Sequence, residues 1–135
     1  MYFLTNRKSL FFVLISSFIF TCCDSISQQV KNVNYQEPFE KLSQYNFFIG
    51  KIADLQPNKK VLPYDLNSPL FSDYAYKSRF IWMPKETSAK FISSGKVLNF
   101  PVGTILIKTF YYQNDERDIN KGKRNIETRL LIKGK

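Results

Sequence analysis

Histidine is absent from this chain, and cysteine occurs only as the neighbours Cys22 and Cys23. Without histidine the chain cannot itself build a His-ligated metal site, a Ser-His-Asp or Cys-His nucleophile system, or an axial His ligand for haem. Two adjacent cysteines cannot form a zinc cluster, and a disulfide between neighbours would be strained. No cysteine follows them, so an exported domain made from this sequence is held by its core alone. Glycine is scarce, at 5 of 135 residues. No phosphate loop, dinucleotide fingerprint or zinc spacing occurs. Low-complexity tracts and internal repeats are also missing.

What is present is apolar and aromatic. Apolar residues make up 44% and aromatics 16%, with 13 Phe and 8 Tyr. That composition belongs to a folded chain with room for one domain. Net charge is +9. If Arg7 and Lys8 are removed with a leader, 18 basic residues against 11 acidic leave +7. A basic surface attracts nucleic acid, anionic lipid or an acidic partner.

Residues 1–21 have the three parts of an export signal. Arg7 and Lys8 form a positive start, and residues 10–20 (LFFVLISSFIF) are an uncharged run of 11, apolar but for Ser16 and Ser17. A bilayer-spanning helix needs about 20 such residues, so the run is too short to span. Phe20-Thr21-Cys22 is a poor small-x-small cleavage site, whereas Ile19-Phe20-Thr21-Cys22 resembles a lipoprotein signal. Cys22 is the expected acylated residue; choosing Cys23 would put Cys22 at the cleavage position. Each buried CH₂ contributes about 0.8 kcal/mol, so two or three acyl chains hold a domain at a membrane. The expected location is therefore a bacterial cell envelope, facing periplasm or cell surface. Export argues against nucleic acid as a partner. Residues 22–36 read as a polar tether, and residues 37–135 as a β-rich domain.

Within that domain, Pro38 opens a short helical candidate over residues 39–48. Phe39, Leu42 and Tyr45 or Asn46 share one face, and Gly50 ends it. Residues 51–78 hold three prolines and several turn formers, yet also Leu62, Tyr64, Leu66, Leu70, Phe71, Tyr74 and Tyr76. The pattern predicts a long ordered loop packed over the domain. Strands are predicted at 79–83, at 90–92 and 97–100 around a Ser93-Ser94-Gly95-Lys96 hairpin signal, at 104–113, and at 124–133. In 104–113, Ile105, Ile107, Thr109 and Tyr111 fall on one face, and apolar groups on both faces indicate a central position. In 124–133, Ile126, Thr128, Leu130 and Ile132 form the apolar face. The fold class is mainly β: an antiparallel sheet of about five strands with one short N-terminal helix. The last strand has no closing partner, so an incomplete sandwich-like domain, truncated at its C-terminus, is expected.

The loop 114–122 carries oxygen-bearing side chains but lacks EF-hand spacing and is flanked by Arg117, Lys121 and Lys123. It reads as a solvated hairpin loop and not as a calcium site. Asp65 and Asp73 could be paired on paper as hydrolytic carboxylates, with no geometry to support them. No nucleophile–base pair can be assembled without His or a downstream Cys, so the domain is expected to be non-catalytic. Tyr64, Phe71, Tyr74 and Tyr76 are the candidate contacts for a glycan or a partner protein.

Two segments carry a family resemblance. Residues 41–84 include PYDLNSPLFSDYA, and residues 98–133 include FPVGTILIKTFYY. Together they resemble the N-terminal part of a bacterial envelope family of diheme c-type cytochromes. In that family the haem-attaching C-x-x-C-H motifs lie further along the chain. The resemblance implies electron transfer for complete relatives only. No haem or other cofactor is expected in this chain, and no functional residue of the family maps onto it. Two functions follow: a membrane-tethered, non-catalytic region that supports electron transfer beside an envelope redox protein, or a free-standing envelope module that binds a polysaccharide or partner protein through its aromatic loop.

Overall fold

A computed structural model describes residues 28–135; the leader and Cys22 lie outside the described residues. The chain is mainly β, as its pattern predicts. One antiparallel sheet has the order β1 (Val61–Pro63), β2 (Tyr76–Trp82), β3 (Ile105–Gln113) and β4 (Lys123–Ile132). Among the described residues the only helical elements are short 3₁₀ turns, at Leu42–Tyr45, Ile52–Asp54 and Ile119–Lys121. No helix among these residues is long and apolar enough to cross a membrane.

β3 is central because it is apolar on both faces. Its Ile105, Ile107 and Thr109 are buried, and register pairs them with Trp82, Phe80 and Ser78 on β2 and with Ile132, Leu130 and Thr128 on β4. These residues form the inner face. The N-terminal segment covers it with Val30, Tyr45, Phe47 and Leu55. The core rings meet edge-on or stacked: Phe39 against Tyr45 at 5.0 Å, Tyr45 against Phe47 at 5.0 Å, and Phe48 against Phe80 at 5.2 Å. Asn58, itself buried, ties the layer together; its Nδ2 donates to the Gln28 and Asn46 carbonyls, each at 2.7 Å. The packed unit therefore starts before Glu37, inside the stretch read as tether, since Val30 belongs to the core.

Four local expectations are corrected. The helix over 39–48 is a single 3₁₀ turn, because Asn46 takes the left-handed conformation (φ 59°) and ends it four residues before Gly50. Asn readily does so, and Phe48 beyond it bridges Pro57 in extended form. Phe39, Leu42 and Tyr45 still face the core. The hairpin at 90–100 contributes one isolated bridge, Lys90 to Asn99, and Phe91, Ile92 and Val97 stay exposed, since no neighbouring strand gives them a core. β1 lies within the predicted loop and was not expected there; a three-residue strand ending in Pro63 is an edge element. Finally, a bulge in the β3–β4 ladder at Phe110/Tyr111 puts Asn125 opposite Tyr111. Ile126 is the extra residue and is exposed, whereas Thr128, Leu130 and Ile132 keep the inward face.

Candidate functional site

The outer face of the sheet is built by the alternate residues of the same strands. Register aligns Leu62, Ile81, Leu106 and Leu131 in one row, and Arg79, Lys108 and Arg129 in the next. Lys77, Phe110 and Glu127 form the row beyond. The loop between β1 and β2 runs against this face. It is held by Arg79 Nη1, which donates to Asp65 Oδ1 at 3.0 Å, by Lys77 Nζ on the Leu70 carbonyl, and by Tyr112 Oη on the Asp73 carbonyl at 3.0 Å.

The loop is ordered and lies against the sheet, but its apolar side chains turn outward and do not pack over the domain. Phe71 is 76% and Tyr74 83% exposed. The cause is the turn Ser72-Asp73-Tyr74-Ala75, closed by Ala75 N–H on the Ser72 carbonyl at 2.8 Å and by Ser72 Oγ on the Ala75 carbonyl at 2.9 Å. Asp73 and Tyr74 both have positive φ, 46° and 60°. Asp tolerates that conformation; for tyrosine it costs about 1–2 kcal/mol. The turn presents Phe71 and Tyr74 as a ridge, edge to face at 5.5 Å.

A groove runs on either side of the ridge. The larger, about 770 Å³, is lined by the ridge together with Asp65, Tyr76, Lys77, Arg79 and Glu116. The smaller, about 430 Å³, is lined by Phe71, Asp73, Phe110, Tyr112, Ile126 and Arg129 among others. In the larger groove, Tyr76 Oη donates to Glu116 Oε2 at 2.8 Å, and its ring stacks on Tyr111 at 5.5 Å. That hydrogen bond, helped by the Glu116 charge, raises the Tyr76 pKa above its ordinary value. Desolvation lowers that of Lys77, and the neighbouring Lys108 and Arg79 lower it further.

Of the predicted contacts, the structure brings Phe71, Tyr74 and Tyr76 together. Tyr64 is not among the residues lining either groove; its N–H extends the β1 pairing by donating to the Arg79 carbonyl at 3.0 Å. Asp65 and Asp73 lie in different grooves, and Asp65 is paired with Arg79, so they do not form a carboxylate pair. Sequence reasoning missed Lys77, Arg79, Phe110, Tyr112 and Glu116; the outward phase of β2 and β3 was the available signal for the first four. In the loop 114–122 the Asp115 and Asp118 carboxylates are taken by the loop's own donors, and Glu116 by Tyr76. Asp115 accepts from Lys121 Nζ at 2.8 Å and from the Arg117 N–H at 3.0 Å, and Asp118 accepts from the Asn120 N–H at 3.0 Å. Among the described residues, no group of three or more Cys, Asp or Glu is placed to hold a metal ion. Compared with known proteins, the chain matches no family model, no curated protein and no solved structure.

Proposed function

We propose that this chain is a non-catalytic binding domain of the bacterial cell envelope, tethered to a membrane through Cys22, and that its aromatic ridge contacts a glycan or a partner protein. One observation carries the binding reading. Two successive non-glycine residues, Asp73 and Tyr74, are held in the left-handed conformation, and the result is an aromatic pair left in solvent above a groove. Strain of this kind persists where the surroundings enforce it, and it concentrates at ligand sites. Exposed rings beside a groove that carries a few polar side chains supply contact area at small conformational cost. Purified chain incubated with immobilised envelope polysaccharides should be retained on at least one, and Tyr74→Ala should abolish retention. Equal retention of the variant would sink the reading.

The anchor rests on the Ile19-Phe20-Thr21-Cys22 sequence. In a bacterium fed labelled palmitate, label should enter the wild type and be lost from Cys22→Ser; label surviving in the variant contradicts the assignment. The resemblance to diheme cytochromes supports a second reading, in which the partner on the ridge is an envelope redox protein. The two runs that carry the resemblance become spatial neighbours here, since PYDLNSPLFSDYA supplies the ridge and FPVGTILIKTFYY supplies β3 beneath it.

A further inference from the structure

All four strands stop in one row. Val61, Trp82, Ile105 and Ile132 are aligned in register, so the chain beyond each of them lies at the same end of the sheet. Lys59 and Lys60 precede β1 there, Lys133 follows β4, and the 83–104 connection between β2 and β3 adds Lys85, Lys90 and Lys96. Leaving aside Lys135 at the last position, six exposed lysines stand against one acidic side chain, Glu86, a balance of +5. Among the described residues only Lys85 of the six has a carboxylate within salt-bridge distance, Glu86 at 3.4 Å. The N-terminal segment passes close by, with Tyr35 beside Gly134, and its Glu37 and Glu40 are matched by Lys31 and Lys41. Asp65, Asp73, Asp115, Glu116 and Asp118 belong to the two loops at the opposite end. The domain is therefore charged unevenly along its strands.

The cationic end is also the one with an apolar tip. Phe91, Ile92, Val97 and Leu98 of the 90–99 hairpin are exposed, Val97 at 85% and Phe91 at 73%, and Val102 joins them. Two recesses open at this end. One, about 530 Å³, is lined by Gln29, Asn58, Lys59, Lys60 and Lys85. The other, about 450 Å³, has Lys90, Phe100, Val102 and Lys133 among its walls. Among the described residues no acidic side chain lines either. The chain enters here as well, since Asn58 Nδ2 donates to the Gln28 carbonyl at 2.7 Å and Gln29 lies beside Lys59 and Lys60. Cys22 is six residues before Gln28, at most about 20 Å of chain. An exposed apolar patch with a polar rim marks a protein or a membrane contact. A bilayer of anionic lipid supplies hydrocarbon for the tip and phosphates for the lysines around it. An acidic protein supplies the anions but gives no reason for the patch to lie where the chain runs back to Cys22. We infer that this end of the domain seats on an anionic bilayer, with Phe91, Ile92 and Val97 in the headgroup boundary and Lys90, Lys96 and Lys133 on lipid phosphates. The inference rests on Cys22 being the anchor and adds how the domain sits on the membrane. Acyl chains alone hold the protein there, so the seat sets its orientation. The aromatic ridge is thereby kept off the bilayer, because Tyr76 lies about 20 Å along β2 from Trp82.

The test uses the full chain, purified in mild detergent from the expressing bacterium and reconstituted into vesicles with brominated acyl chains, which quench tryptophan on contact. Phe91→Trp and Ile119→Trp put an exposed reporter at either end of the sheet, and the wild type, whose Trp82 is buried, gives the baseline. On vesicles rich in phosphatidylglycerol, Phe91→Trp should be quenched and Ile119→Trp should not, and the quenching should fall as salt is raised. In the Phe91→Trp chain, Lys90→Gln and Lys96→Gln should each lower the ratio of seated to lifted domain about fivefold, with unchanged melting temperature. Arg124→Gln, exposed at the other end, should leave that ratio alone; an equal loss there means diffuse charge and overturns the proposal. Equal quenching of the two reporters overturns it, and so does quenching on phosphatidylcholine as strong as on phosphatidylglycerol. Phe91→Trp emission that shifts only with polyglutamate, or only with chain concentration, assigns the end to an acidic protein or to a second copy and also overturns it. Flotation of the vesicles reads the anchor separately. A chain that floats with neutral vesicles but is never quenched has the anchor without the seat. One that leaves neutral vesicles yet stays on anionic ones until salt is raised has the seat without the anchor, and one that leaves both has neither.

Discussion

Replacing Tyr74 by alanine and by glycine separates contact from strain. Both changes delete the ring and its edge contact with Phe71, and at 83% exposure the ring has little burial to lose. The variants differ only in how they tolerate φ 60°. Alanine keeps the left-handed penalty of about 1–2 kcal/mol. Glycine escapes it but gives up about 0.5–1 kcal/mol of backbone entropy on folding. The difference leaves Tyr74→Gly about 0.5–1 kcal/mol more stable than Tyr74→Ala, although both should lose binding. Urea unfolding followed by Trp82 fluorescence reads this directly, provided the slope with denaturant is the same in both. In a thermal scan about 1 kcal/mol corresponds to roughly 4 °C or more for a domain of this size. If alanine proves as stable as glycine, Tyr74 is not held left-handed, and the argument from strain to function collapses.

Ile107 is fully buried on the inner face, so Ile107→Ala should cost about 2–5 kcal/mol in the same assay; Leu131→Ala, on the exposed outer row, should cost within about 0.5 kcal/mol, and a reversal would mean the faces are assigned wrongly. Thr109 and Thr128 share a hydroxyl–hydroxyl bond of 2.8 Å inside the sheet. Thr109→Val should lose about 1–3 kcal/mol by stranding its partner, and the double valine variant should recover most of that; no recovery would show that the bond is not the cause. Asp115 and Glu127 have pKa values held below the ordinary carboxylate range, by Lys121 with Arg117 and by Arg129 respectively. Since the folded values are the depressed ones, their contribution is present above that range and disappears as pH falls through it. The unfolding midpoint should drop between about pH 5 and pH 3, and less so in the double variant Asp115→Asn/Glu127→Gln; an identical drop would exclude these groups.

The strands that alternate cleanly were legible. Residues 104–113 and 124–133 became Ile105–Gln113 and Lys123–Ile132 with the expected inward faces, apart from Ile126. A bulge leaves no mark in a period-two pattern, because it is fixed by the partner strand and not by the sequence of one. β2 began three residues earlier than expected, at Tyr76, since Tyr76-Lys77-Ser78 continues the loop's composition and only pairing with Tyr111, Phe110 and Thr109 makes it strand. The short helix failed for a local reason at Asn46, and the hairpin at 90–100 for a tertiary one, the lack of a neighbour. At the site, the aromatic residues were visible by their number in a proline-rich loop. That Phe71 and Tyr74 would face water depends on two φ angles, which composition does not encode. The cation row was invisible because Arg79, Lys108 and Arg129 are far apart in sequence and meet only through register.

Amide and aromatic NMR resonances of the full chain, followed while fragments of an envelope polysaccharide that retains it are titrated in, test the central claim most directly. The account predicts shifts at Phe71, Tyr74, Tyr76 and Lys77, with Val30, Phe47 and Leu55 of the inner layer unmoved. Shifts confined to the inner layer or to the 93–96 turn, or none at saturating fragment, would contradict it.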